Sequence, residues 1–131
     1  MGGIRGLGEL ALRVADLDAM RAFYRDVVGL EILDESVPGS VFFRVAAAVE
    51  GHPQTLVLFD RGVELDRDRT TVDHFAFLID LEDYDPQRDR LEGLGIAVRL
   101  KEFPHFHWRA LFFQDPEGHS VEFVCYDPTV A

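Results

Sequence analysis

With a single cysteine, Cys125, the chain has no partner for an intrachain disulfide. A reducing compartment is the corresponding expectation. No apolar run approaches the roughly 20 residues of a membrane span. The opening stretch, Met1-Gly2-Gly3-Ile4-Arg5, lacks the apolar segment of a secretion signal, so the expected location is cytoplasmic. Positive charge is scarce: 13 Lys and Arg stand against 24 Asp and Glu, and Lys101 is the one lysine. A net charge of −11 speaks against nucleic acid and anionic membrane as partners, because both are bound through Lys and Arg. Hydrophobic residues make up 47% of the sequence and charged residues 28%, an ordinary globular balance. At 131 residues the chain is long enough for one domain, or for two small modules.

Read in order, residues 9–14 alternate as a half-buried strand does. Asp16-Leu17-Asp18 offers helix caps, and Leu17, Met20, Phe23, Tyr24, Val27 and Val28 follow at helical spacing up to a stop at Gly29. Residues 31–37, 41–46 and 55–59 read as three strands divided by Pro38-Gly39 and Gly51-His52-Pro53. Residues 62–70, rich in charge, read as a linker. The second half then repeats the order. Residues 74–79 form a strand, and Asp85-Pro86 opens a helix with Asp85 as cap and Pro86 at its first position. Gly95 closes that helix. Residues 96–100, 108–113 and 121–125 are the final strands, the last two joined by the turn Asp115-Pro116-Glu117-Gly118.

Leu10-Ala11-Leu12 aligns with Phe75-Ala76-Phe77 at an offset of 65, and Leu56-Val57-Leu58 with Glu122-Phe123-Val124 at 66. Two copies of a five-element unit related by one insertion describe the chain. Strand alternation puts Glu9, Ala11 and Arg13 on one face and Leu10, Leu12 and Val14 on the other. By the same alternation His74 goes with Ala76 and Leu78, and Glu122 with Ser120 and Val124. The bulkier faces are expected to bury against the helices.

The segments Glu9-Leu-Ala-Leu-Arg-Val-Ala-Asp-Leu-Asp18 and Phe23-Tyr24-Arg-Asp-Val-Val-Gly29-Leu30, with the closing Asp115-Pro116-Glu117-Gly118-His119-Ser120-Val121-Glu122, resemble the glyoxalase/bleomycin resistance protein/dioxygenase (vicinal oxygen chelate) superfamily. The likeness runs from about residue 7 to residue 127. It implies an α+β fold: two βαβββ modules in tandem, of about 7–61 and 71–127, within a single domain 1–131. Eight strands in mixed sheets would curl around a shared cavity.

In that family the metal ligands come from the first and last strands of each module. Carried over, they are Glu9, Leu56, His74 and Glu122. Position 9 is more often His in the family, and Leu56 has no donor atom. The resemblance therefore implies Glu9, His74 and Glu122 on one divalent ion (Fe, Mn, Zn, Ni or Co), with Leu56 lining the cavity beside it. Two carboxylates and one imidazole suit such ions without selecting among them. Without a metal, two buried carboxylates at close range repel, and one stays protonated.

The stretch from His105 to Glu122 is similar to the closing segment of extradiol ring-cleavage dioxygenases, with Phe112 where that segment usually has Tyr. It offers His105, with Glu122, as a catalytic residue. Arg13, His107 and Phe113 complete the candidate substrate contacts. Against these stand plainer readings: surface imidazoles for His105 and His107, core or cavity wall for Phe112 and Phe113, and a turn residue for His119.

The implied function is a small metal-dependent enzyme acting on an oxygen-bearing small molecule by lyase, isomerase or dioxygenase chemistry. The alternative is a non-catalytic protein that sequesters a small molecule or antibiotic. A homodimer is expected in either case, since the family's modules pair within or across chains.

Overall fold

The computed structural model describes residues 3–60 and 70–131. Of the expected linker, only Thr70 is among them. The chain divides into two compact units, Met1–Asp66 and Arg67–Ala131. The first carries β1 (Glu9–Val14), α1 (Leu17–Ala22) continuing into a π-helical turn Phe23–Val28, β2 (Glu31–Asp34), β3 (Ser40–Val49) and β4 (His52–Asp60). The second carries β5 (Phe75–Leu78), α2 (Tyr84–Gly93), β6 (Arg99–Phe103), β7 (Trp108–Gln114) and β8 (Ser120–Tyr126). The strands form two four-stranded sheets of corresponding order, β1-β4-β3-β2 and β5-β8-β7-β6. Each is mixed: β1 runs parallel to β4 and β5 to β8, while the remaining pairs are antiparallel. Both sheets are open, ending in edge strands, rather than curled into one eight-stranded layer.

In the first unit the Asp16 side chain accepts from Ala19 N at 3.0 Å and starts α1. Gly29, at φ 89°, ends the helical run, because Gly29 N and Leu30 N both donate to Tyr24 O and that turn needs a left-handed residue. Met20 and Tyr24 are fully buried, and the Tyr24 ring lies 6.3 Å from that of Phe43. Leu12, Val14, Val41, Phe43, Leu56 and Leu58 form the core on this helix side. β2 is shorter than its apolar pattern suggests. The Asp34 carboxylate accepts from Ser36 N at 2.6 Å, and this local turn ends the ladder.

The second unit departs most from expectation at the starts of α2 and β6. A 3₁₀ turn, Leu81–Asp83, leads into α2, which starts at Tyr84, so Pro86 sits at the third helical position and Asp85 is not the cap. The first turn tolerates this, since its N–H groups have no intrahelical acceptor. β6 begins at Arg99 rather than at residue 96, because its pairing with β7 starts at Arg99↔Phe112. Tyr84 anchors α2: its hydroxyl donates to Ala110 O at 2.8 Å. On the helix side Phe123 meets Phe77 at 6.3 Å and Phe113 at 5.1 Å between ring centres. Cys125 is buried there, and burial pushes its thiol pKa up, so it packs as a small apolar group.

Candidate metal and substrate site

Alternation along β1 leaves Glu9, Ala11 and Arg13 exposed and buries Leu12 and Val14. Register then extends the Glu9 face across the sheet: Glu9 pairs with Thr55, Thr55 with Arg44, and Arg44 with Glu31. Arg13 pairs with Phe59, four residues along from Glu9. At about 3.3 Å per residue the two α-carbons are about 13 Å apart, beyond ordinary ion-pair reach.

Leu56 does not belong to this face. It pairs with Leu10 on one side and Phe43 on the other, and it is 1% exposed within the helix-side core. The match with Glu122 fails for the same reason. Phe75 pairs with Val121 as Leu10 pairs with Leu56, so the offset is 65 in both strands and Val57 is the residue equivalent to Glu122. A one-residue shift along a strand reverses the face of every side chain. The two similar runs, Leu-Val-Leu and Glu-Phe-Val, concealed that shift.

In the second unit His74 immediately precedes β5, while Glu122 lies in β8 opposite Ala76 and Phe112. His74 Nε2 is 3.2 Å from Glu122 Oε2. The other ring nitrogen, Nδ1, is 2.7 Å from Asp73 Oδ2. A proton on Nδ1, held by Asp73, leaves the Nε2 lone pair facing a carboxylate oxygen. Two acceptors at that separation call for a proton or a cation between them, and Asp73 then has the outer role familiar at metal-bound imidazoles. The donor pair thus fits a divalent ion of borderline hardness. Glu122 is 5% exposed, and its burial raises its pKa, with His74, Arg99 and Lys101 opposing the rise. Asp73 was not singled out from the sequence, although its adjacency to His74 was a signal.

Phe112 is the register partner of both Glu122 and Arg99, so Arg99, Phe112, Glu122 and Ala76 form one row across the sheet. Arg99 Cζ lies 4.5 Å from the Phe112 ring centre, and the His74 ring meets the same Phe112 edge-on at 5.7 Å. Beyond Arg99 the β6–β7 pairing ceases, and residues 96–98 diverge from residues 113 and 114. The gap is a groove of about 530 Å³ into which Arg99, Gln114 and Ser120 bring polar side chains. Sequence reasoning missed Arg99 and Gln114, because both reach this face only through strand pairing.

Other candidates lie elsewhere. His105 is exposed in a 3₁₀ turn, Pro104–Phe106, at the tip of the β6–β7 hairpin. Trp108, where β7 begins, is four residues from Phe112, about 13 Å along the strand. A catalytic partnership of His105 with Glu122 therefore has no support within this unit. We expect His105→Ala to leave metal content unchanged and stability within about 0.5 kcal/mol, read by metal analysis and urea denaturation. His107 adopts φ 56° and its Nδ1 is 2.6 Å from Val130 O, so it ties down the closing segment instead of contacting substrate. Phe113 is 2% exposed and packs on Phe123; Phe112 is the ring beside Glu122. His119 Nδ1 is 2.8 Å from Asp115 Oδ2, closing the turn. Arg109 turns to the helix side, over Tyr84 and 3.0 Å from Asp127 Oδ2. Asp80, Glu82 and Asp83 form an exposed acidic group with no imidazole, on the 3₁₀ turn before α2.

Residues 6–123 match the model of the Glyoxalase/Bleomycin resistance protein/Dioxygenase superfamily. A 1,2-dihydroxynaphthalene dioxygenase of Sphingobium xenophagum is 27% identical over 138 residues, covering 99% of this chain. The chain spans 42% of that dioxygenase's length. Metallothiol transferase FosB of Lysinibacillus sphaericus is 26% identical over 125 residues, 92% of this chain and 82% of the relative. Among solved structures, lactoylglutathione lyase from Agrobacterium tumefaciens is 31% identical with a TM-score of 0.72, each chain being covered to 92%.

Proposed function

Because the chain belongs to the glyoxalase/bleomycin resistance protein/dioxygenase superfamily, we propose that it is a small metal-dependent enzyme in which His74 and Glu122 hold one divalent ion. The observation that carries this reading is the His74–Glu122 pair, with Nε2 and Oε2 3.2 Å apart and Asp73 on the far ring nitrogen. Glu9 occupies in the first unit the place that His74 occupies in the second, each standing one residue before an equivalent strand position. Bound there, the ion would supply positive charge against negative charge developing on the oxygens of a substrate. Lyase, isomerase and dioxygenase chemistry all fit that description.

The chain's own part is to orient. Phe112 stands against the His74 ring and opposite Glu122, and Asp73 fixes the His74 ring. The four-ligand set of an authentic glyoxalase I is not reproduced, because Val57, equivalent in register to Glu122, offers no donor.

We further propose a cytoplasmic homodimer. Among the described residues no helix is long and apolar enough to cross a membrane. Sedimentation showing only a 14.8 kDa species at micromolar concentration would overturn the dimer. Metal analysis of protein purified without chelator tests the enzyme reading. One first-row metal per site supports it, and a metal-free protein that still takes up small molecules would replace it with the sequestering function.

A further inference from the structure

The groove beside Glu122 has a chemical bias that the metal does not require. The whole chain carries a net charge of −11, yet no carboxylate lines this groove and its one cation is Arg99. Among the described residues Arg99 has no ion-pair partner; its guanidinium rests on the Phe112 ring at 4.5 Å. Stacking restrains the guanidinium plane and leaves the N–H fork available at its edge. Gln114 and Ser120 pair with each other in the β7–β8 ladder and add an amide and a hydroxyl, with no side-chain hydrogen bond to another described residue. The walls at Ile96, Val98, Phe112 and Phe113 are apolar. Such a groove matches a group that is negative, planar and attached to an apolar body.

We propose that this groove binds the carboxylate of a small organic acid, with Arg99 as the specificity-determining residue and Gln114 and Ser120 as auxiliary donors. A single guanidinium fork accommodates a carboxylate with two parallel hydrogen bonds and balances one negative charge. A dianionic phosphonate calls for a second cation. The nearest on this face, Lys101, rests instead against Phe103, its Nζ 5.0 Å from the ring centre. Arg99 and Glu122 stand two strands apart in one row, about 10 Å between α-carbons. A carboxylate held at Arg99 thus lies in the same row as Glu122, with the Phe112 ring between them.

The inference rests on the metal-enzyme reading for its chemistry, but its geometry lies within one unit and is testable without metal. Benzoate, benzamide and phenylphosphonate are titrated calorimetrically into the full chain, both chelator-stripped and loaded with Mn(II). The same titrations are run with Arg99→Gln and Arg99→Lys. We expect benzoate to bind at least tenfold more tightly than benzamide or phenylphosphonate, with or without Mn(II). Arg99→Gln should weaken benzoate at least tenfold, and Arg99→Lys, which keeps the positive charge in the Glu122 row, should recover part of that loss with Mn(II) affinity unchanged. No benzoate binding, equal binding of benzamide, tighter binding of phenylphosphonate, or undiminished benzoate binding by Arg99→Gln would each overturn the proposal. Wild-type protein that binds benzoate through Arg99 but takes up no Mn(II) supports the groove and overturns only the metal reading.

Discussion

Glu122→Gln is expected to remove divalent-metal binding and, in the metal-free protein, to raise stability at neutral pH. The two effects have one origin. Glu122 is 5% exposed, and burial raises its pKa above the ordinary carboxylate range despite the opposing charges of His74, Arg99 and Lys101. A carboxyl raised in the folded state binds its proton more tightly there than in the unfolded chain. Its stabilising contribution is complete below the ordinary carboxylate pKa and is lost as pH rises through the raised value. Metal-free wild type should therefore lose stability on going from pH 4 to pH 7 by an amount absent from Glu122→Gln, as measured by urea midpoints at each pH.

A divalent ion reverses the balance by supplying the charge that the buried carboxylate lacks. Loss of a direct ligand should exceed the roughly 10–100-fold typical of outer partners. His119→Ala serves as the control, since His119 is engaged with Asp115 in the turn before β8. Equal metal loss in both variants would show that the strand register at the site is wrong. Unchanged metal content in both would leave Glu122 as a polar partner of His74 and favour the sequestering protein.

Leu56→Ala is expected to lower stability by about 2–5 kcal/mol while leaving metal content and small-molecule affinity unchanged. Leu56 is 1% exposed among Leu10, Phe43 and the residues beneath α1, so truncation leaves a cavity in the core of the first unit. Its loss removes both the transfer free energy and the contacts of the atoms around it. Urea denaturation followed by far-UV circular dichroism measures the first quantity, and metal analysis with a benzoate titration measures the second. A stability loss below about 1 kcal/mol accompanied by altered ligand affinity would return Leu56 to the wall of the site.

What the sequence by itself determined were the quantities that depend on neighbours along the chain. The period-two pattern of residues 9–14 and 74–79 separated the exposed from the buried face of β1 and the exposed from the half-buried face of β5, because a strand's side chains alternate whatever it pairs with. Asp16 and Gly29 marked the ends of the first helical run, because capping and left-handed backbone are local chemistry. The repeat and its closing Asp115-Pro116-Glu117-Gly118 turn were legible as order and spacing.

Only the tertiary structure decided which residues of different strands stand side by side. It moved Leu56 to the helix side of its sheet and made Val57 the register equivalent of Glu122, a distinction of one residue in a ladder that no single strand encodes. It also delayed β6 to Arg99, which opened the groove at residues 96–98, and it held His105 at the far end of a hairpin. Arg99, Phe112 and Glu122 lie 10 and 13 residues from their neighbours in the row, and backbone hydrogen bonds between strands make them one surface. Pairing of that kind depends on the partner strand's position and not on local propensity, which is why the cation in the row of the buried carboxylate was invisible in the sequence and plain in the fold.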